Sequence, residues 1–176
     1  MAAAIDLESN GWTNEAIAAY ERVLNFAPKQ KGVAHKLARL YSQVGHSEKA
    51  SHFFAVALTE THNNPEVVGD YGYFLFEQGD YSAAEQQLRR ALQDLPSDQR
   101  IRSNLAIVLA STQRIDESLR LFEESVGKAA ARFNLATILA RSGDLATSRH
   151  LVEEALVLNP QMPEARALKA WLEDSI

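Results

Sequence analysis

The chain has 176 residues, 46% of them hydrophobic, with no cysteine and a formal net charge of -5. The acidic balance argues against a nucleic-acid binder, whose affinity comes from clustered Lys and Arg on phosphates, and the lack of thiols removes disulfides, thiolate nucleophiles and thiolate metal sites together. Apolar runs are broken by charge well before the roughly 20 residues that a bilayer span needs, so no direct membrane insertion is expected; cytoplasm and periplasm both stay open.

Gly11, Gly45 and Gly79 stand 34 residues apart, and Gly143 follows 64 after Gly79 with one degenerate copy between. A related segment follows each glycine, as in GDYSAAEQQLRRALQDLP from Gly79 and GDLATSRHLVEEALVLNP from Gly143. A period of this length marks a helical solenoid of two-helix units. Residues 1–30 read as a first unit cut short. If Gly11 sits where Gly45 sits, its first helix lacks about one turn, and MAAAIDLESNG has no basic region followed by a long apolar stretch. This start is expected of a piece of a longer protein, and its unfinished unit offers a surface for homo-oligomers.

Residues 31–64 form the next unit. Val33, Leu37, Leu40 and Tyr41 make one apolar stripe, Gly45 allows the turn, and Ala50, Phe54, Ala57 and Leu58 make the second stripe. Residues 65–98 repeat the plan. Ala16, Ala50 and Ala84, five residues after their glycines, let paired helices approach closely, while Pro28, Pro96 and Pro160 end the second helices. His62 takes that place in the second unit, where Asn63, Asn64 and Pro65 supply the break. Residues 99–128 are shortened: RSNLAIVLA and RFNLATILA place Asn104 and Asn134 only 30 residues apart, with Gln113 at the glycine position and Ser118 and Ser125 at alanine positions. One turn of second helix, about 5 Å, is expected to be lost, with that helix ending near Gly127. Residues 129–162 return to the full pattern. Residues 163–176 read as a capping helix, with Ala165, Leu168 and Leu172 facing back and Arg166 and Glu173 outward.

With Gly72, Gly79, Ala84, Leu88, Ala91 and Pro96 in register, the chain resembles the tetratricopeptide-repeat family over essentially its whole length. The resemblance implies an all-α fold, a right-handed α-solenoid of antiparallel helical hairpins, and a non-catalytic scaffold binding a protein or extended peptide in a concave groove. The alternatives are a self-associating structural array and the helical interaction region of a larger protein. A further similarity, to bacterial pilus-assembly and secretion tetratricopeptide proteins, points to a bacterial multiprotein assembly.

Chemistry is sparse. The five histidines form no i, i+4 pair or HExxH motif. No phosphate-binding glycine loop or GxSxG elbow is present, so no enzyme, cofactor or metal is expected. Glu123, Glu124, Glu153 and Glu154 read as a solvated face. Tyr71 and Phe74 read as core, and Trp12 and Trp171 as structural. The family resemblance places the groove positions at Lys36, Arg39, Asp70, Tyr73, Phe76, Arg100, Asn104, Asn134 and Thr137, beside His35, Glu66, Glu77, Ser103, Ile107, Phe133 and Arg141. Tyr73 and Phe76 are candidate apolar anchors. Asn104 and Asn134 offer amides, each with a donor and an acceptor, that can grip a peptide backbone. The two-carboxylate clamp found in some relatives is not reproduced: Gly69, Tyr73, Ala130 and Asn134 stand where its lysines and arginine would flank Asn104. The groove charges are mixed and select no charge class of ligand.

Overall fold

The computed structural model describes residues 1–174, so the last two residues of the expected capping segment lie outside the described residues. Among the described residues there are eleven α-helices and no β-strand. They are α1 (Ala2–Ser9), α2 (Thr13–Phe26), α3 (Val33–Gln43), α4 (Ser47–Glu60), α5 (Pro65–Glu77), α6 (Tyr81–Asp94), α7 (Gln99–Ser111), α8 (Ile115–Val126), α9 (Lys128–Ser142), α10 (Leu145–Leu158) and α11 (Pro163–Asp174). The architecture is that of a solenoid of antiparallel hairpins. It divides into two compact units, Met1–Phe74 and Leu75 onward.

One turn recurs between the helices of each hairpin. The amides of Trp12, His46, Asp80, Arg114 and Asp144 reach back to the carbonyls of Leu7, Tyr41, Leu75, Leu109 and Leu139 at 2.8–3.0 Å. This is the Schellman closure, which needs a left-handed residue just before the donor. Gly11, Gly45, Gly79 and Gly143 supply it with φ of 74 to 90°, and Gln113 supplies it with a side chain present at φ 63°. The second helices start on caps where the sequence allows. Asp80 and Asp144 accept from the amides of Ala83 and Thr147, while Asp98 caps the first helix α7 through Ile101. Asn64 accepts from Glu66 just ahead of Pro65, and the preceding His62 and Asn63 take positive φ, so this tripeptide makes the break that a proline makes elsewhere.

In the first unit, Tyr20, Leu37, Leu40, Tyr41, Phe54 and Phe74 form the core with Ala16, Ala38 and Ala50, and Tyr71 packs half-buried against it. In the second, Phe122, Leu135, Leu139, Leu151, Val152 and Leu172 pack with Ala106, Ala136 and Ala165. The alanines expected at close helix approaches, Ala16, Ala50 and Ala84, are all 0% exposed. Where serine replaces alanine, the hydroxyl turns to the partner helix: Ser118 Oγ donates to Ala106 O at 2.7 Å and Ser148 Oγ to Ala136 O at 2.8 Å. Ser125 instead bonds back to Leu121 O within its own helix.

Two expectations need correction. The helix α8 has 12 residues against 14 in α6, so it loses two residues rather than a full turn. The rest of the shortage falls on the connection, which shrinks from residues 95–98 after α6 to Gly127 alone after α8. Gly127 makes this abrupt junction at φ 83°, ψ 167°, a region open to glycine. Trp12 and Trp171, read as structural, are 59% and 52% exposed. Trp12 stands just ahead of α2 as its N-cap residue, and in the last turn of α11 the buried residue is Leu172, next to Trp171. Ile5 of α1 and Met1 just ahead of it are exposed as well.

Candidate partner-binding face

In the first unit the predicted positions on α3 and α5 are joined by linked charges, one of which reaches back to α1. The helix α3 buries Leu37, Leu40 and Tyr41, which leaves His35, Lys36 and Arg39 on its other side. Lys36 Nζ lies 3.1 and 3.0 Å from the two carboxylate oxygens of Glu8 on α1, and Tyr20 donates its hydroxyl to the same carboxylate at 2.7 Å. Burial works against ionising Glu8, but the hydrogen bonds from Tyr20 and Lys36, with the charges of Lys36 and Arg39, outweigh it and hold the carboxyl below the usual range. Burial, reinforced by that carboxylate, pushes the Tyr20 phenol upward. One helix further on, Asp70 of α5 meets His35 Nε2 at 2.9 Å and Arg39 Nε at 3.7 Å. Lys36, Arg39 and Asp70 are therefore joined to partners within the unit, and the charge they present outward is reduced accordingly. Tyr73 stands at 36% exposure on the other side of α5 from the buried Phe74.

In the second unit, Phe76 is half-buried and its ring lies 5.8 Å from that of Tyr81, so it packs as well as presents. Arg100 is exposed at the start of α7. Asn104 and Asn134 occupy the same register on α7 and α9, each followed by a buried Leu-Ala pair, Leu105-Ala106 and Leu135-Ala136. Both asparagines are half-buried, and among the described residues neither side-chain amide makes a hydrogen bond. Thr137 is half-buried one turn beyond Asn134, its hydroxyl turned back to Phe133 O at 2.9 Å. The structure thus gathers Lys36, Arg39 and Asp70 in one unit, and Asn104, Asn134 and Thr137 on two adjacent helices of the other.

The carboxylates read as a solvated face have a second use. Arg132 binds Glu123 at 2.5 Å and Glu154 at 2.8 Å, tying α9 to the helices before and after it. Arg102, at the same register on α7, bonds the carbonyls of Pro96 and Glu124, and Arg166 on α11 bonds the carbonyl of Pro160. Sequence reading missed this arginine series, although the place of Arg102 and Arg132 two residues ahead of an Asn-Leu-Ala was visible. Glu8 was missed too, since nothing in its local sequence announces a partner on a helix two elements away. Among the described residues no cluster of three or more His, Asp or Glu side chains could hold a metal ion, and no helix is long and apolar enough to cross a membrane.

Comparison with known proteins gives a consistent set of likenesses. Residues 33–98 match a family model described as YpiA-like, C-terminal tetratricopeptide repeats, and residues 75–129 and 129–154 match two further tetratricopeptide-repeat models. The type IV pilus assembly protein PilF of Pseudomonas aeruginosa is 28% identical over 118 residues, which take in 66% of this chain and 47% of PilF. The matched stretch is therefore about half the length of that relative. Among solved structures, P. aeruginosa PilF aligns at TM-score 0.71 and 22% identity, covering 98% of this chain and 80% of its own. PilW, a widely conserved type IV pilus biogenesis factor, aligns at 0.78 and 18%, covering 97% and 81%. YrrB, a tetratricopeptide protein with an unusual peptide-binding site, aligns at 0.67 and 20%, covering 95% and 88%. At these identities the structures establish a shared fold.

Proposed function

Because this chain belongs to the tetratricopeptide-repeat family, whose fold generally serves as a non-catalytic interaction scaffold, we propose that it holds an extended peptide against the first-helix face of its second unit. The observation that carries the reading is the pair Asn104 and Asn134. A half-buried amide with no partner has lost part of its hydration without compensation, a cost that a ligand bonding to it relieves. Each amide can donate to a peptide carbonyl and accept from a peptide N–H, so the pair reads backbone rather than side chains. Phe76 adds apolar contact and Arg100 adds charge within the same unit. The similarity to PilF and PilW supports a place in a bacterial multiprotein assembly of the pilus type.

Selection from a displayed library of random peptides, followed by titration calorimetry of the enriched sequences, tests this reading. Each substitution should cost about 0.5–1.5 kcal/mol of binding, the net worth of a hydrogen bond, so Asn104→Ala with Asn134→Ala should weaken binding about 5- to 150-fold. Unchanged affinity in a double variant with unchanged helicity would remove the asparagines from the mechanism.

A further inference from the structure

The spacing of the two asparagines restricts the conformation of what they can hold. The helices α7 and α9 are the first helices of consecutive hairpins and pack directly on one another. Each runs antiparallel to α8 between them, so they run parallel to each other. Asn104 and Asn134 each precede a Leu-Ala pair that is at most 1% exposed, which fixes both amides at the same angle around their helices. The step from one amide to the next is therefore the interaxial distance of packed helices, about 8–10 Å.

That step fits poorly to a β-strand. A strand presents the same backbone edge every second residue, at intervals of about 7 Å and then about 13 Å. A polyproline II helix has three residues per turn and rises about 3.1 Å per residue, so equivalent backbone groups recur at about 9.3 Å. Its backbone has no internal hydrogen bonds, which leaves every carbonyl, and the N–H of every residue other than proline, open to an asparagine amide.

The surface beside the amides agrees with this. One turn beyond each asparagine stand Ile107 and Thr137, both half-buried. Thr137 spends its hydroxyl on the Phe133 carbonyl, which leaves its methyl as the group not engaged in a hydrogen bond. Each amide therefore has an apolar group one turn away, the Ile107 side chain on α7 and the Thr137 methyl on α9. A three-sided peptide helix with one backbone edge on the asparagines lays a neighbouring edge, bearing proline rings, toward those groups.

Resting on the backbone-grip reading above, we propose that the ligand of the second unit is a proline-rich peptide in the polyproline II conformation, with residues i and i+3 held by Asn104 and Asn134. Such a peptide is already ordered before binding, which lowers the entropic cost of being held by few contacts.

Fluorescence anisotropy with three labelled, uncharged dodecapeptides tests the assignment: repeated Ala-Pro-Pro, a β-biased Thr-rich sequence, and a flexible Gly-Ser sequence. Each is titrated with the unsubstituted protein and with the Asn104→Ala, Asn134→Ala variant, whose fold is checked by circular dichroism. The expected result is that the Ala-Pro-Pro peptide binds the unsubstituted protein about tenfold more tightly than the other two, and loses about tenfold in the variant. If the Thr-rich or Gly-Ser peptide binds as tightly and shows the same loss, the conformational assignment is overturned while the asparagine grip stands. If the Ala-Pro-Pro peptide binds both proteins equally, or no peptide binds, the grip itself is wrong and the assignment falls with it.

Discussion

Gln113 occupies a backbone position that glycine fills in the other hairpin turns. Its φ of 63° matches the 74 to 90° of Gly11, Gly45, Gly79 and Gly143, and its amide and that of Arg114 make the same closing bonds. The left-handed region costs an L-residue about 1–2 kcal/mol that glycine does not pay, offset in part by the greater freedom of glycine in the unfolded chain. Gln113→Gly should therefore stabilise the protein by about 0.5–1 kcal/mol, read as a higher urea midpoint at unchanged slope. A lower midpoint would mean that the Gln113 side chain makes a contact worth more than the strain.

Glu8 carries a different consequence at the same scale. Against burial, the hydrogen bonds of Tyr20 and Lys36 depress its carboxyl below the ordinary glutamate value of 4.5. The unfolded state then binds more protons than the folded state in acid, so stability increases with pH through that window. The contribution is fully present above the ordinary value and is lost as the pH falls through the depressed one. The stability difference between the unsubstituted protein and Glu8→Gln should be largest near neutral pH and should shrink steadily below about pH 4.5. A difference that stays constant down to acid unfolding would show that the Glu8 charge contributes nothing.

At the scale of elements, the hairpins were legible because each helix end carries its own local signal. Glycine or a tolerant polar residue makes the Schellman turn, Asp80, Asp98 and Asp144 cap the following helices, and alanine, or serine at Ser118 and Ser148, marks each close approach. What the chain did not disclose is how a deficit is shared. The short step between Asn104 and Asn134 was plain, yet whether helix or connection gives way depends on packing of α8 against α9 and on the junction that Gly127 permits. The same limit applies to ion pairs that cross between helices. Arg132 reaches Glu123 and Glu154 because α8 and α10 flank α9, a neighbourhood that exists only once the hairpins have stacked. Its side chain is only 19% exposed, and its removal would leave two carboxylates facing each other. Arg132→Ala should cost about 1–3 kcal/mol, and markedly less when Glu123→Gln is already present. Equal costs in both backgrounds would show that Arg132 stabilises through its aliphatic stem alone.

For the molecule as a whole, stability follows from contacts that are near in sequence. Within the second unit, each pair of packed helices is adjacent in the chain or separated by a single helix, as in α7 with α9 and α9 with α11. Such a stack is described by the stability of each hairpin plus its interfaces with immediate neighbours, and it opens in pieces rather than all at once. Leu139 is a direct probe, since it is 0% exposed in the core that joins α7, α8, α9, α10 and α11. Leu139→Ala removes a buried side chain and leaves a cavity, at a cost of about 2–5 kcal/mol. Amide hydrogen exchange should then show the largest loss of protection in α9 and α10, a smaller loss in α7, α8 and α11, and little change in α6, which does not touch that cluster. An equal loss in α6 and α9 would mean that the second unit opens as one cooperative body. The partner-binding proposal bears on the same measurement. A peptide held by Asn104 and Asn134 bridges α7 and α9 from outside, and at saturation it should restore protection to α9 in the Leu139→Ala protein by linkage.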